Sequence, residues 1–324
     1  MTLNKLEAIN ISKTFKQRQG FFQWKEYQVL NDISITIKKG EITGLLGLNG
    51  AGKTTLIKIL SSLLIPSKGQ IKIDGINIEK DIQGYRRKIN IISGGESSIY
   101  QRLSILENLQ YFASLYSIHE SEAMYRINDL LKRVGLFEDR DKKVETISKG
   151  MKQRLQIAKG LLNNPEYIFL DEPTIGLDVN ISLEFRQLIT HLSQERNIGV
   201  LLTSHYINEI EELCNKVYLL DDGKVIKEGT IEELKNQLRV EKKVIITFQT
   251  PSSNHIINSI PKSDIIDLRE QSDIVTLGIR PEKVFDVLNY LRDKKCTNFE
   301  IVNKTENLEE ALIKFERNKN HVIL

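Results

Sequence analysis

Gly47-Leu48-Asn49-Gly50-Ala51-Gly52-Lys53-Thr54, followed by Thr55, fits the pattern G-x-x-x-x-G-K-[ST]. Glycine-rich octets arise by chance, so the flanks decide what this one means. Ahead of it, Ile42-Thr43-Gly44-Leu45-Leu46 is a short apolar run that reads as a buried strand. Behind it, residues 53–64 place Leu56, Ile59, Leu60 and Leu63 at helical spacing, with Pro66 and Gly69 as stop signals. Strand, glycine loop and helix is the order that makes an anion site. Glycines at 47, 50 and 52 allow turns that a Cβ opposes, so successive N–H groups point at one anion. The helix N-terminus adds its partial positive charge at the same spot. In such a loop Lys53 reaches the β- and γ-phosphates, and the Thr54 hydroxyl ligates the Mg²⁺ bridging them. The stretch implies a nucleoside triphosphate site.

Composition narrows the class. A chain of 324 residues has room for two domains and a large core. Lys and Arg number 46 against 43 acids, and the resulting net charge of +3 is too small to argue for nucleic acid. Cys214 and Cys296 stand far apart and form no C-x-x-C pair, which reads as reduced thiols in a cytosolic protein. Residues 1–7 lack an apolar core, so a secretory signal is not expected. The longest apolar-rich run, 56–65, contains Lys58 and two serines and falls short of a bilayer span.

A second chemical centre lies downstream. Tyr167-Ile168-Phe169-Leu170 suits a parallel strand buried on both faces, and Asp171-Glu172 stands at its C-terminal end, where ligands of open α/β sheets collect. Two buried charges require a cation or polar ligand nearby. With the glycine loop upstream, Asp171 is assigned as a Mg²⁺ ligand and Glu172 as the group that polarises the attacking water. A further buried strand, 199–204, leads to His205 at the same sheet edge, placed there for a γ-phosphate contact. The helix expected between them covers 179–196.

Near the N-terminus, 3–11 and 29–37 alternate as antiparallel strands around a segment, 12–28, rich in aromatics. Phe15 is the candidate to stack on an adenine ring; packing of these aromatics within a long hairpin is the alternative. Residues 104–117 and 121–134 read as helices with Ser104 and Ser121 as N-caps. Ser148 is placed as the N-cap of a helix running through Met151, Leu155, Ala158 and Leu161 to Pro165. Such a capped start is a second, weaker anion site.

The set of motifs now in hand resembles the ATP-binding subunit of ABC transporters. It comprises the P-loop at 47–54, ISKGMKQR at 147–154, YIFLDEP at 167–173, GLD at 176–178 and TSH at 203–205. The resemblance spans residues 3 to about 235. It implies an α/β P-loop NTPase fold with an antiparallel β subdomain and a helical insert at about 95–160, in an ATP-binding domain over 1–238. It also implies an opposed dimer, homo- or heteromeric. There Ser148, Lys149, Gly150 and Met151 face the ATP of the second subunit, Asp178 lies at the seam, and His205 is the switch histidine. The expected cofactors are ATP and Mg²⁺. The expected partner is an integral-membrane permease that holds the protein at the cytoplasmic face.

Two departures stand out. The signature, usually LSGGQ, is here Ile147-Ser148-Lys149-Gly150-Met151. The glutamine expected between P-loop and signature is missing from Ser93-Gly94-Gly95-Glu96-Ser97-Ser98; either Glu96 substitutes in arranging water and Mg²⁺, or coupling to the permease differs. The variant signature and the C-terminal appendage are similar to the branch serving small export permeases for drugs, peptides or polysaccharides. A nucleotide-gated regulator signalling through the appendage is the competing reading. ABC ATPases acting on DNA or ribosomes are set aside, since this chain has one ATPase core and only two isolated cysteines. Residues 239–324 read as β-α-β-β-α-β, the order of a small ferredoxin-like α+β domain.

Overall fold

The first two strands run further than their alternation predicts. In a computed structural model of the chain, β1 (Lys5–Gln19) and β2 (Gln23–Lys38) form one long antiparallel hairpin. The structure describes residues 4–19, 23–94, 99–204, 206–238, 242–249, 260–271, 273–293, 296, 298–305, 308–312 and 314. Residues 12–28, expected to separate two strands, are therefore themselves strand up to Gln19 and again from Gln23. The hairpin leaves the core beyond Ser12, and there its aromatics, Phe15, Trp24 and Tyr27, are scattered among Lys, Gln and Arg without a regular apolar–polar alternation to reveal a strand. Three register shifts between Ala8 and Thr14 mark bulges, which bend a strand and increase its twist.

β3 (Ile42–Leu46) follows, then α1 (Lys53–Leu60), which ends before the residue 64 that periodicity suggested. The chain breaks from the helix at Ser61, and Ser62 adopts a φ of +57°. β4 (Lys68–Ile73), β5 (Ile76–Asn77), α2 (Ile82–Lys88) and β6 (Ile89–Ser93) come next. Helix α2 was not expected; it is one short polar segment in which Tyr85 alone is buried.

The insert holds α3 (Ile105–Leu115), α4 (Glu120–Arg133) and α5 (Lys149–Leu161), which pack on one another. Ser104 caps α3 in a reciprocal box: the Glu107 N–H donates to Ser104 Oγ at 3.1 Å, and the Ser104 N–H donates to Glu107 Oε2 at 2.7 Å. Ser104→Ala is expected to cost about 1 kcal/mol of stability, measured by urea denaturation. Ser121 is not a cap. The helix starts one residue earlier, with His119 at the N-cap position and Ser121 in the first turn, 3.0 Å from His119 Nδ1.

The remainder of this unit is β7 (Tyr167–Asp171), α6 (Val179–Arg196), β8 (Gly199–Thr203), α7 (Ile207–Leu213), β9 (Lys216–Asp221), β10 (Lys224–Gly229) and α8 (Ile231–Gln237). One sheet is antiparallel, in the order β2-β1-β4-β5. The other runs β10-β9-β3-β8-β7-β6 and is parallel except for β10. Leu6, Ile33 and Ile37 of the first sheet share an apolar cluster with Leu56 and Leu60 of α1 and with Tyr167, Phe169 and Leu201 of the second. Because β3, β8 and β7 are neighbours, with Leu45 level with Thr203 and Thr203 level with Asp171, their C-terminal ends share one edge. That edge carries the P-loop, Asp171-Glu172 and Ser204.

The chain divides into two units, 1–234 and 235–324. In the second, β11 (Lys242–Gln249), β12 (Ile265–Gln271), β13 (Ile274–Ile279) and β14 (Phe299–Thr305) form an antiparallel sheet in the order β12-β13-β11-β14. Helix α9 (Val284–Asp293) contributes Val287 and Leu291 to a core with Val244, Ile246, Phe248 and Leu277. The first helix of the expected β-α-β-β-α-β order, at 254–260, lies, apart from Ile260, outside the described residues. Both cysteines are free and buried, and burial pushes their thiol pKa values up. Among the described residues no helix is long and apolar enough to cross a membrane.

Candidate nucleotide site

Strand β3 is buried throughout and hands the chain to Gly47 under tight constraint. Gly47 has a φ of +154°, and a Cβ there would stand 2.3 Å from the Leu220 carbonyl oxygen, so only glycine fits. Gly50, at φ +86°, is different: a Cβ would meet nothing within 4 Å, so the backbone turn needs glycine while that side of the loop stays open. Gly52, left-handed at φ 105°, is the N-cap of α1. No side chain caps the first-turn amides of α1, and uncapped helix N-termini of this kind bind phosphate oxygens.

Lys53 is 6 % exposed and lies back across its own loop, its Nζ donating to the carbonyl oxygens of Gly47 at 2.5 Å and Leu48 at 3.0 Å. Desolvation lowers its pKa, and the charges of Glu172 and Asp171 oppose that shift. The lysine and both acids therefore share one electrostatic environment. Thr54 is exposed and Thr55 half-buried, while Ala51 is buried with its N–H on Leu48 O at 3.1 Å.

A cleft of about 560 Å³ joins these parts. Phe15, Leu48, Asn49, Gly50, Gly52, Lys53, Thr54, Thr55 and Glu172 all line it. Gln17, Tyr27 and Val29 line it too, and sequence reasoning did not single them out. Strand register explains their presence: Phe15 pairs with Tyr27, so both rings lie on the hairpin face that carries Gln17. The rings stand 6.2 Å apart at 35°, and Lys13 Nζ sits 5.2 Å from the Phe15 centroid. Packing within the hairpin and facing the cleft are thus compatible for Phe15. Tyr27 was legible as an aromatic in that segment, but its register was not.

The acids are half-buried, not buried, so water shares their solvation with Lys53. Asp171 Oδ1 accepts from Thr203 Oγ1 at 2.9 Å. Glu172 has a φ of +52°; among the described non-glycine residues with positive φ it is the one that is neither Asn, Asp nor Ser. Such a backbone costs on the order of 1–3 kcal/mol and persists where surroundings impose it. Here its N–H is shared between Thr203 O and Thr203 Oγ1, both at 3.1 Å. Gly94 abuts the same turn: its N–H donates to Asp171 O at 2.9 Å, and a Cβ on it would fall 2.2 Å from Glu172 O. Thr203 and Gly94 are thus supports that sequence reasoning missed, although both lie inside stretches it quoted.

One hydroxyl, one carboxylate and an open phosphate cradle form a hard-oxygen set of the kind Mg²⁺ takes with a nucleotide, so Thr54 and Asp171 fit that ion. Glu96 and His205 lie outside the described residues. The signature residues are not in this cleft. Ser148 caps α5, its Oγ accepting from the Met151 N–H at 3.2 Å, and both it and Lys149 are exposed. Gly150 is buried against Ile181, which a Cβ would approach to 2.7 Å. Asp178, exposed, caps α6 by accepting from the Ile181 N–H at 2.9 Å.

A family model described as ABC transporter matches residues 30–175. The ABC transporter ATP-binding protein NatA of Bacillus subtilis (strain 168) is 41% identical over 217 residues, 67% of this chain and 88% of that one. The linearmycin resistance ATP-binding protein LnrL of the same organism is 36% identical over 233 residues, 72% of this chain and 71% of the relative. Among solved structures, a dimeric ATP-binding cassette in a post-hydrolysis state with ADP and Pi matches with a TM-score of 0.60 at 28% identity, over 69% of this chain and 98% of that one.

Proposed function

This chain belongs to the ABC transporter family as an ATP-binding subunit, and from there we propose how its own residues bind and hydrolyse MgATP to drive a separate permease. The observation that carries the reading is the single cleft in which P-loop, hairpin aromatics and Glu172 meet. The amides of 47–53 and Lys53 hold the phosphates, while Phe15 and Tyr27 flank the adenine. Thr54 and Asp171 would hold Mg²⁺, which would supply positive charge to offset that of the triphosphate. Glu172 orients the attacking water and accepts its proton. His205 contacts the γ-phosphate, and Glu96 stands in for the missing glutamine in arranging water.

The exposed Ser148, with Lys149, Gly150 and Met151, completes the site of a second subunit across a seam that includes Asp178. The free Ser148 edge of α5 and the dimeric cassette among similar structures support this. The resistance protein among the relatives supports export, and attachment through the permease at the cytoplasmic membrane face follows from that reading. Residues 239–324 form an accessory domain of ferredoxin-like type, a reading its strand order supports, which binds a regulator or lengthens the dimer interface.

Sedimentation tests the pairing. With saturating MgATP and hydrolysis blocked by Glu172→Gln, the protein is expected to sediment as a dimer. Adding Ser148→Arg should return it to monomer while each chain still binds nucleotide. A Ser148→Arg protein that dimerises as before contradicts the role of the signature.

A further inference from the structure

Glu209 on α7 is 1 % exposed, and no step of the reaction described above uses it. Its Oε2 accepts two hydrogen bonds, from Thr174 Oγ1 at 2.9 Å and from Ser204 Oγ at 2.6 Å. Its Oε1 faces Arg186 Nη2 at 3.6 Å, and the same guanidinium reaches Glu212 at 2.5 Å. Each partner belongs to a different segment of the site. Thr174, 2 % exposed, lies two residues past Glu172, in turns closed by the Ile175 N–H on Glu172 O at 3.3 Å and the Leu177 N–H on Thr174 O at 3.1 Å. Ser204 immediately precedes His205 in sequence, and its Oγ also accepts the Tyr206 N–H at 2.9 Å. Arg186 projects from α6, the helix that Asp178 caps.

Burying a carboxylate is costly, and if packing were all this position required, an apolar side chain would fill it without that cost. What the charge adds is direction: one carboxylate fixes two hydroxyls and a guanidinium from three segments in a single arrangement. We infer that Glu209 is a positioning residue, which through Thr174 and Ser204 sets the Glu172 turn and the segment leading to His205 relative to each other. The inference rests on the reading of Glu172 as the water-activating group. It makes the two hydroxyls, rather than the volumes of their side chains, the feature that turnover needs.

Thr174 separates these, because valine keeps its shape and loses the hydroxyl, while serine keeps the hydroxyl and loses a methyl group. In the full-length protein, Thr174→Val is expected to lower kcat of ATP hydrolysis roughly ten- to a hundredfold with KM for MgATP unchanged. Thr174→Ser is expected to retain kcat. A purely packing role gives the reverse order and overturns the inference. Should Thr174→Val fail to fold, as read by its thermal midpoint, Ser204→Ala reports the same link from the other side; an unchanged kcat there overturns it equally. Glu172→Gln run in parallel separates the two levels. If it abolishes turnover while Thr174→Val does not lower it, this inference alone falls; if Glu172→Gln turns over normally, the reading beneath it falls as well.

Discussion

Glu172→Gln is expected to lower ATP turnover by about 10²- to 10⁴-fold, the range set by a positioned general base. The substitution removes the proton acceptor and little else. Glutamine matches glutamate in size and can keep the backbone bonds to Thr203, which depend on the Glu172 N–H and not on its side chain. Asp171, Lys53 and the P-loop remain in place, so nucleotide affinity should be preserved. Phosphate release under saturating MgATP reads the first effect, and equilibrium binding of a fluorescent ATP analogue reads the second. The strained φ of +52° adds a control. Glycine at 172 would relieve the backbone strain and still lack the base, so Glu172→Gly should be as inactive as Glu172→Gln. Activity recovered by the glycine variant would mean that conformation, not the carboxylate, limits the reaction.

Lys53→Ala acts at the other end of the chemistry. In the structure this ammonium is almost wholly removed from water and rests on two loop carbonyls. A triphosphate offers it formal negative charge in their place. Truncating one partner of a buried, hydrogen-bonded charge pair costs about 2–5 kcal/mol, so MgATP affinity should fall by at least an order of magnitude. The pH dependence has a definite sign. Desolvation holds the lysine pKa below its ordinary value, and only the protonated form attracts a polyanion. Affinity should therefore decline on the alkaline side as pH rises through that lowered pKa, and this decline should be absent from Lys53→Ala.

The parts of the site that could be read from sequence are those with dense local signals. The P-loop combines fixed spacing with a buried strand before it and a helix after it, and the structure has that local order, β3, loop and α1. Tyr167–Asp171 announces itself by four apolar residues that only a strand covered on both faces tolerates. Ser148 and Ser104 sit at true helix starts because a polar cap followed by apolar spacing is a local motif. Ser121 misled for the same reason, as a cap-type residue one turn position inside a helix that begins without a side-chain cap.

What escaped is long-range. Tyr27 and Gln17 reach the cleft only through the register of a hairpin whose outer half mixes aromatics with Lys, Gln and Arg and shows no regular alternation. Thr203, through its hydroxyl and carbonyl, and Gly94, through its N–H, act across neighbouring strands, which no single segment displays. Glu209 looks like one more acid on an amphipathic helix until Thr174 and Ser204, 35 and 5 residues away, are seen to converge on it.

The most direct test of the account is nucleotide binding to the hydrolysis-arrested protein. Equilibrium dialysis of Glu172→Gln against radiolabelled MgATP should show saturable binding of one nucleotide per chain, sharply weakened when Lys53→Ala is added. Absence of binding to Glu172→Gln at millimolar nucleotide, or binding indifferent to Lys53, would contradict the claim that this loop and these acids form the ATP site.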